Sequence, residues 1–368
     1  MTATWSRYKI NLKSILEMGF VMKSKRPRAA TLRDVAKLAE VAVSTVSCVL
    51  NADSGKYVSE DLRQRVLKAA TALNYRPNFI ARSMKGKKRN VLAIVVPQYE
   101  NVFFTRLING AEQVAYEEGF MLLFCSTYDD QTREEHFIKN LIAQQVDGFL
   151  ICPTVTGWEN TRAIRERNIP YVVLDRPMLD ADQPFDFIGF DNEDGSYRAA
   201  RYLLELGHRR IAFLNWESRF THIQQRLAGF WKAIDEAGLD QRECAVVSRK
   251  NPSVEHGYEL AQAIFAQSNP SAVLAAHHYL AEGLVQFLRE TGRRIPEDVS
   301  VITYGQPSWV RMNVPGFTCL NPPAHEIGRL GAERLLARIA NPERSVETII
   351  LQSSLMIRQS VRDLHSSG

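Results

Sequence analysis

The chain has 368 residues, 45% hydrophobic and 24% charged, which is apolar matter enough for two or three packed domains and excludes a disordered chain. Its net charge of +5 conceals an asymmetry: residues 1–89 carry 19 Lys and Arg against 6 Asp and Glu, a net of +13, and residues 90–368 carry 27 against 35, a net of −8. A basic front on an acidic body points to a polyanion bound at one end only.

In chain order, residues 1–29 have no clear period and end in the basic run Lys23-Ser24-Lys25-Arg26-Pro27-Arg28, the pattern of a mobile tail. Met22 precedes that run and is an alternative start. The apolar stretch before it is cut by Glu17 and Lys23, so it supports neither a signal peptide nor a membrane span. Three short helical patterns follow. Thr31 to Asp34 opens the first, with Val35, Leu38 and Ala39 as its apolar face; after a break at Glu40-Val41 the second runs from Val43 to Leu50. Ser59-Glu60-Asp61 caps the third, which continues to about Leu73. Asn74-Tyr75-Arg76-Pro77-Asn78 breaks it, Pro77 suits the first turn of a short helix to Met84, and 85–89 reads as a linker.

Beyond residue 90 the pattern changes. Apolar runs at 91–96, 120–125, 148–152, 171–174, 211–214, 272–276 and 299–304, with weaker ones at 187–190 and 245–248, alternate with amphipathic helical stretches. That alternation predicts βαβ units in parallel sheets, and there are too many runs for one compact sheet, so two α/β lobes are expected. Ligands of such sheets sit at the carboxyl ends of the strands, which selects Gln98 to Phe104, Thr127, Pro153-Thr154, Asp175-Arg176, Trp216 to Arg226, His277-His278 and Gly305-Gln306.

In order and spacing the sequence resembles the lactose-repressor (LacI/GalR-type) family of bacterial transcription regulators over residues 31–363. The resemblance is carried in front by Thr31-Leu32-x-Asp34-Val35-Ala36, Thr45-Val46-Ser47-x-Val49-Leu50-Asn51, Asn74 to Asn78 and Ile80-Ala81-x-x-Met84. In the body it is carried by Leu174-Asp175-Arg176, Phe190-Asp191-Asn192, Leu206 to Ile211, Arg226 to Phe230 and Ile295 to Val301. It implies an N-terminal all-α helix-turn-helix DNA-binding domain with a hinge helix. This is joined to a two-lobed α/β effector domain like type I periplasmic binding proteins, with parallel sheets. The expected boundaries are a tail at 1–29, the helix-turn-helix domain at 30–76, the hinge and linker at 77–89, and the effector domain at 90–365. Within the last, the N-lobe takes 90–189 and 319–348, and the C-lobe 190–318 and 349–365. The implied partners are operator DNA of pseudo-palindromic sequence, a carbohydrate-related effector and a second copy of the chain, in the cytoplasm and away from membrane.

For the DNA end, the resemblance puts Val43, Ser44 and Cys48 at base-reading positions where Arg or Gln is common, so this chain offers mainly apolar contact and one hydroxyl. Thr45, Ser47, Ser59, Tyr75 and Asn78 are carried over as phosphate contacts, though each would serve equally as a cap or turn residue. Ala81 and Met84 fall on the hinge, Met84 as a minor-groove wedge or as packing between two hinge helices. Glu40 stands where the family's turn has Gly, and Ala42 where its helix has a capping Ser.

For the effector end, the resemblance makes Arg226 the ligand-gripping arginine and adds Phe103, Phe104, Asp175, His277, His278 and Gln306 to the cleft. Asp175 is equally a turn cap. The family's Asn-Asp pair is His277-His278 here, and a further Asp is Gly305. With those acids absent and aromatics such as Tyr99 and Trp216 nearby, a sugar acid or sugar phosphate rises against a neutral sugar, provided that Asp175 points elsewhere. If an imidazole contacted the anion, affinity would climb as pH fell through about 6.5. The alternative is that the two histidines pack structurally.

Cys48, Cys125, Cys152, Cys244 and Cys319 lie far apart with no C-x-x-C pair, which argues against disulfides and zinc and fits a reducing compartment. Nucleophile-elbow, zincin, P-loop and dinucleotide motifs are all absent, so no enzyme, metal or cofactor is expected. A solute-binding protein is the rival reading of the body, and a regulator switched by a partner protein is another; the DNA module and the missing signal peptide count against the first.

Overall fold

In the computed structural model, which describes residues 30–50, 58–75 and 89–365, the chain forms two units that divide between Lys87 and Lys88. The first contains α1 (Leu32–Ala39), α2 (Val43–Leu50) and α3 (Glu60–Ala72). Thr31 and Asp34 start α1 with reciprocal capping: the Thr31 hydroxyl accepts from the Asp34 amide, and the Asp34 carboxylate accepts from the Thr31 amide at 2.7 Å. Glu40 ends α1 in the left-handed region (φ 52°, ψ 47°), where glycine would be unstrained. Val35, Ala39, Val46, Val49, Val66 and Ala70 meet in a small core. Ser59 holds the first position of α3, but its hydroxyl makes no capping bond, contrary to expectation. The expected tail and hinge helix lie outside the described residues.

The second unit contains two sheets of six strands. The N-lobe sheet has the order β11-β5-β4-β3-β1-β2, from β1 (Val91–Val96), β2 (Met121–Ser126), β3 (Gly148–Ile151), β4 (Tyr171–Asp175), β5 (Phe187–Phe190) and β11 (Thr348–Leu351). The C-lobe sheet is β12-β10-β9-β8-β6-β7, from β6 (Ile211–Trp216), β7 (Ala245–Arg249), β8 (Ala272–Ala275), β9 (Ser300–Tyr304), β10 (Thr318–Asn321) and β12 (Ser354–Met356). All pairings are parallel except β12 on β10. The central strands are buried on both faces, which is why they read as continuous apolar runs.

Between the strands run α4 (Val102–Glu117), α5 (Gln131–Ala143), α6 (Gly157–Asn160), α7 (Arg162–Arg165), α8 (Asn192–Glu205), α9 (Thr221–Glu236), α10 (Val254–Gln267), α11 (His278–Glu290), α12 (Ser308–Met312) and α13 (Ala324–Ala340). One apolar cluster extends through both lobes, with residues from α4, α8, α9 and α13, and further clusters cover the opposite sheet faces.

The chain crosses between lobes three times: after β5, after β10 and after β11. The first crossing falls at Phe190-Asp191. The other two correct the expected boundaries: β10 belongs to the C-lobe, so that crossing follows Asn321 rather than preceding 319, and β11 belongs to the N-lobe through Leu351 rather than ending at 348. The three unanticipated strands are three or four residues long, too short to show a period.

Candidate functional site

Both sheets point their carboxyl ends at one cleft of about 390 Å³. Strand β4 delivers Asp175 and Arg176 from the N-lobe, while β6, β8 and β9 deliver Trp216, His277 and Tyr304 from the C-lobe. Phe103 and Phe104 come from the first turn of α4, and His222 and Arg226 from α9.

Arg226 is held firmly. Helix α9 lies close on α8 because Gly229 has no side chain; a Cβ there would come within 2.0 Å of the Glu193 carbonyl oxygen. The buried guanidinium donates from Nε to Asn192 Oδ1 at 2.8 Å and from Nη1 to the Ala276 carbonyl at 2.7 Å, and it lies 4.1 Å from the centre of the Tyr304 ring. Burial pulls its pKa down, and Tyr304 and Asp175 hold it up.

Asp175 ends β4 at φ 69°, in the left-handed region that Asp tolerates better than most residues. It is buried, lines the cleft, and its carboxylate accepts no hydrogen bond from any described residue. Burial raises its pKa from 3.8 to about 6; Arg176 and Arg226 oppose the shift and Asp129 adds to it. Arg176 does not neutralise it directly, because its Nη2 donates to Asp129 at 2.5 Å while its guanidinium stacks 4.0 Å from the centre of Phe220.

His277 and His278 stack with ring centres 4.4 Å apart, and Trp216 meets His277 edge-on at 5.5 Å. Asn101 Nδ2 approaches His277 Nε2 at 3.5 Å from the opposite lobe. Burial depresses both imidazoles, His277 well below its ordinary value and His278 to about 4, with Arg226 adding repulsion to each. Burial thus disfavours a charge on either imidazole in the unliganded cleft, which weighs against the expected rise in affinity at lower pH. Gly305 has φ +83°, and a Cβ on it would stand 3.2 Å from His278 Nδ1. The imidazole therefore fills the space beside the position where the resemblance implies an acid.

Of the expected effector residues, Phe103, Phe104, Asp175, Arg226, His277 and His278 line the cleft. Gln306 does not: it lies outside the lining, and its carbonyl accepts from Arg106 Nη2 at 3.2 Å. Tyr99 is also outside, about half exposed. His222 lies inside the selected stretch Trp216 to Arg226 but is not among the expected effector residues. It lines the cleft, its buried Nδ1 without a hydrogen-bond partner among the described residues, as does the unanticipated Lys250 beyond β7. The spacing of His222 and Arg226, four residues apart on one helix face, was the available signal. Charge in the cleft is balanced, with Asp129, Asp175 and Glu217 against Arg176, Arg226 and Lys250. Asp175 faces the ligand space, so the condition for favouring an anion is not met.

In the first unit, Val43 and Ser44 are exposed on α2, and Ser47 and Cys48 half-buried, on the side away from buried Val46 and Val49. Thr45 and Ser59 are half-buried, and Tyr75 packs against the small core. Asn78, Ala81 and Met84 lie outside the described residues. Among the described residues no group of three or more His, Cys, Asp or Glu is placed to hold a metal, and no helix is long and apolar enough to cross a membrane.

A three-helix reader with an exposed second helix, followed by a two-lobed body with a ligand cleft at its strand ends, defines a ligand-controlled DNA-binding regulator. Residues 31–78 match the model of bacterial regulatory proteins of the lacI family, and residues 200–361 match that of the periplasmic binding protein-like domain. The chain is 32% identical over 346 residues to the HTH-type transcriptional repressor PurR of Vibrio campbellii, covering 91% of this chain and all of that one. It is 31% identical over 340 residues to the ribose operon repressor of Haemophilus influenzae, covering 91% and 99%. The lac repressor dimer bound to operator and the anti-inducer ONPF superposes with a TM-score of 0.80 at 25% identity, covering 91% of this chain and all of that one. The chain belongs to the lacI family of bacterial regulatory proteins: it is a DNA-binding transcriptional repressor with a small-molecule effector domain, and not an enzyme.

Proposed function

We propose that the protein represses a metabolic operon as a cytoplasmic homodimer on a pseudo-palindromic operator, and that its effector is a neutral, hydroxyl-rich sugar. One observation carries the effector class: the Arg226 guanidinium, with Nη2 left over from its bonds to Asn192 and Ala276, and the unpartnered Asp175 carboxylate line one cleft from opposite lobes, among aromatic faces. A carboxylate accepts from several sugar hydroxyls, a guanidinium donates to ring or hydroxyl oxygens, and rings cover the apolar faces of a sugar. A phosphorylated ligand would meet the Asp175 charge. The ribose operon repressor relative and the ligand-bound lac repressor neighbour support the same class. At the DNA end, Val43, Ser44 and Cys48 read base edges, with Thr45, Ser47, Ser59, Tyr75 and Asn78 on phosphates and Ala81 and Met84 in the minor groove. Their support is the outward face of α2 and the basic charge of residues 1–89.

Calorimetry with pentoses, hexoses and disaccharides beside their phosphates and acids tests the effector class. A neutral sugar should bind more tightly than its phosphate, and Arg226→Ala should weaken it by about 2 kcal/mol, the scale of charged hydrogen bonds. Tighter binding of the phosphate, or no sugar binding at all, would reject the reading.

A further inference from the structure

The grip on Arg226 is built around Asn192, a residue that does not line the cleft. Asn192 is buried and sits where the chain has just left the N-lobe sheet at Phe190 and entered the C-lobe. Its side-chain amide is used at both ends. Arg226 can only donate, so the atom 2.8 Å from its Nε is the amide oxygen. The amide nitrogen donates in turn to the Phe190 carbonyl at 3.1 Å, the last residue of β5. The Asn192 backbone is fixed as well: its carbonyl accepts from the Tyr304 hydroxyl at 3.1 Å, and that hydroxyl lies 2.9 Å from Ser196 Oγ. Tyr304 also supplies the ring against which the guanidinium rests.

We infer that Asn192 is the positioning residue of the effector grip: its amide sets the angle of the Arg226 guanidinium and fastens it to the first crossing between the lobes. This rests on the reading of Arg226 as the effector-gripping residue. The chemistry discriminates among replacements. Asp keeps an acceptor for Nε and loses the donor to Phe190. Ser is too short to reach Arg226, and Leu fills the volume with neither group.

The test uses the full-length protein, deuterated and labelled with nitrogen-15. The Arg226 Nε–H signal is identified by its loss in Arg226→Lys, and its exchange with solvent is then measured. We expect slow exchange in the parent and in Asn192→Asp, and exchange faster by about tenfold or more in Asn192→Ser and Asn192→Leu, the scale of one lost hydrogen bond to a charged group. Exchange unchanged in Ser and Leu, or accelerated equally in Asp, overturns the inference. Should Leu fail to fold by circular dichroism, the Ser and Asp pair decides the matter.

A second arm titrates D-ribose as the probe. Asn192→Leu should weaken binding, and should add nothing to Arg226→Ala in the double variant, because a positioning residue acts only through the group it positions. Full additivity overturns the inference. If Arg226→Ala leaves D-ribose binding unchanged, or the parent does not bind it, the reading of Arg226 fails on this probe and the exchange measurement alone judges Asn192.

Discussion

Replacing Asp175 with Asn removes a carboxylate that the fold keeps in the wrong solvent. Its pKa rises from 3.8 to about 6 on folding, so the folded protein holds this proton more tightly than the unfolded chain. The sign follows: the parent is penalised above pH 6, the penalty shrinks as pH falls from 6 to 3.8, and it vanishes below both values. The shift corresponds to about 3 kcal/mol at pH 7 and to roughly half of that at pH 5. Asn at position 175 has nearly the same shape, tolerates the same left-handed backbone, and does not ionise. Its pH-independent effects cancel when the two variants are compared at two pH values. Urea denaturation of both proteins should show Asp175→Asn gaining on the order of 1 kcal/mol on the parent between pH 5 and pH 7. A stability difference that does not change with pH, or that moves against the variant as pH rises, would refute the placement of an unpartnered, buried carboxylate in this cleft. Sugar affinity should respond in the opposite sense: the parent weakens about tenfold from pH 7 to pH 5 as the acceptor is protonated, and the variant does not. The histidines of the cleft are common to both proteins, so their titration cancels in the comparison, and burial disfavours a charge on His277 and His278 in either.

Glu40→Gly relieves the left-handed turn after α1 and should stabilise the reader unit by about 0.5–1 kcal/mol in thermal melts; a loss of stability would show that the Glu40–Arg65 pair outweighs the strain. Cys48→Arg should bring a guanine preference to one operator position, worth about 1–3 kcal/mol, in selection from random DNA; an unchanged consensus would remove Cys48 from the base-reading face. Arg334→Ala removes one of the two arginines paired with buried Asp186, leaving Arg338 and the Glu347 amide, and frees the Glu347 carboxylate. The expected loss is about 1.5–3 kcal/mol by denaturation, the scale of hydrogen bonds to a charged group, and no measurable loss would refute a buried role for that network.

The sequence revealed the fold wherever an element was long and buried on a consistent face. Strands such as Val91–Val96 and Ser300–Tyr304, and the capping pair Thr31 and Asp34, were legible because local residues alone decide them. The boundaries at β10 and β11 were not, because a four-residue strand has no period and the lobe it joins is decided by pairing partners far away in sequence. At the site, Arg226, Asp175 and the histidine pair were visible as residue types at strand or helix ends. Their states were not. That a charge on His277 and His278 is disfavoured depends on how deeply the cleft is buried and on the nearby guanidinium. Gln306 was misplaced because a residue just past a strand end is as free to turn outward as inward; its carbonyl accepts from Arg106. Asn192 stood in a recognised motif, yet only the geometry joined it to Arg226.

The threefold crossing between lobes has a consequence for how the protein is made. The N-lobe sheet lacks its edge strand β11 until Leu351 has been made, and α4 lacks the helix packed on it, α13, until Ala340. A nascent chain therefore carries an open, apolar N-lobe through nearly all of its synthesis, while the reader helices are already complete at residue 72. Their core is local and needs nothing downstream. A message cut short before codon 348 would still encode those helices, but the body attached to them would lack β11 and β12.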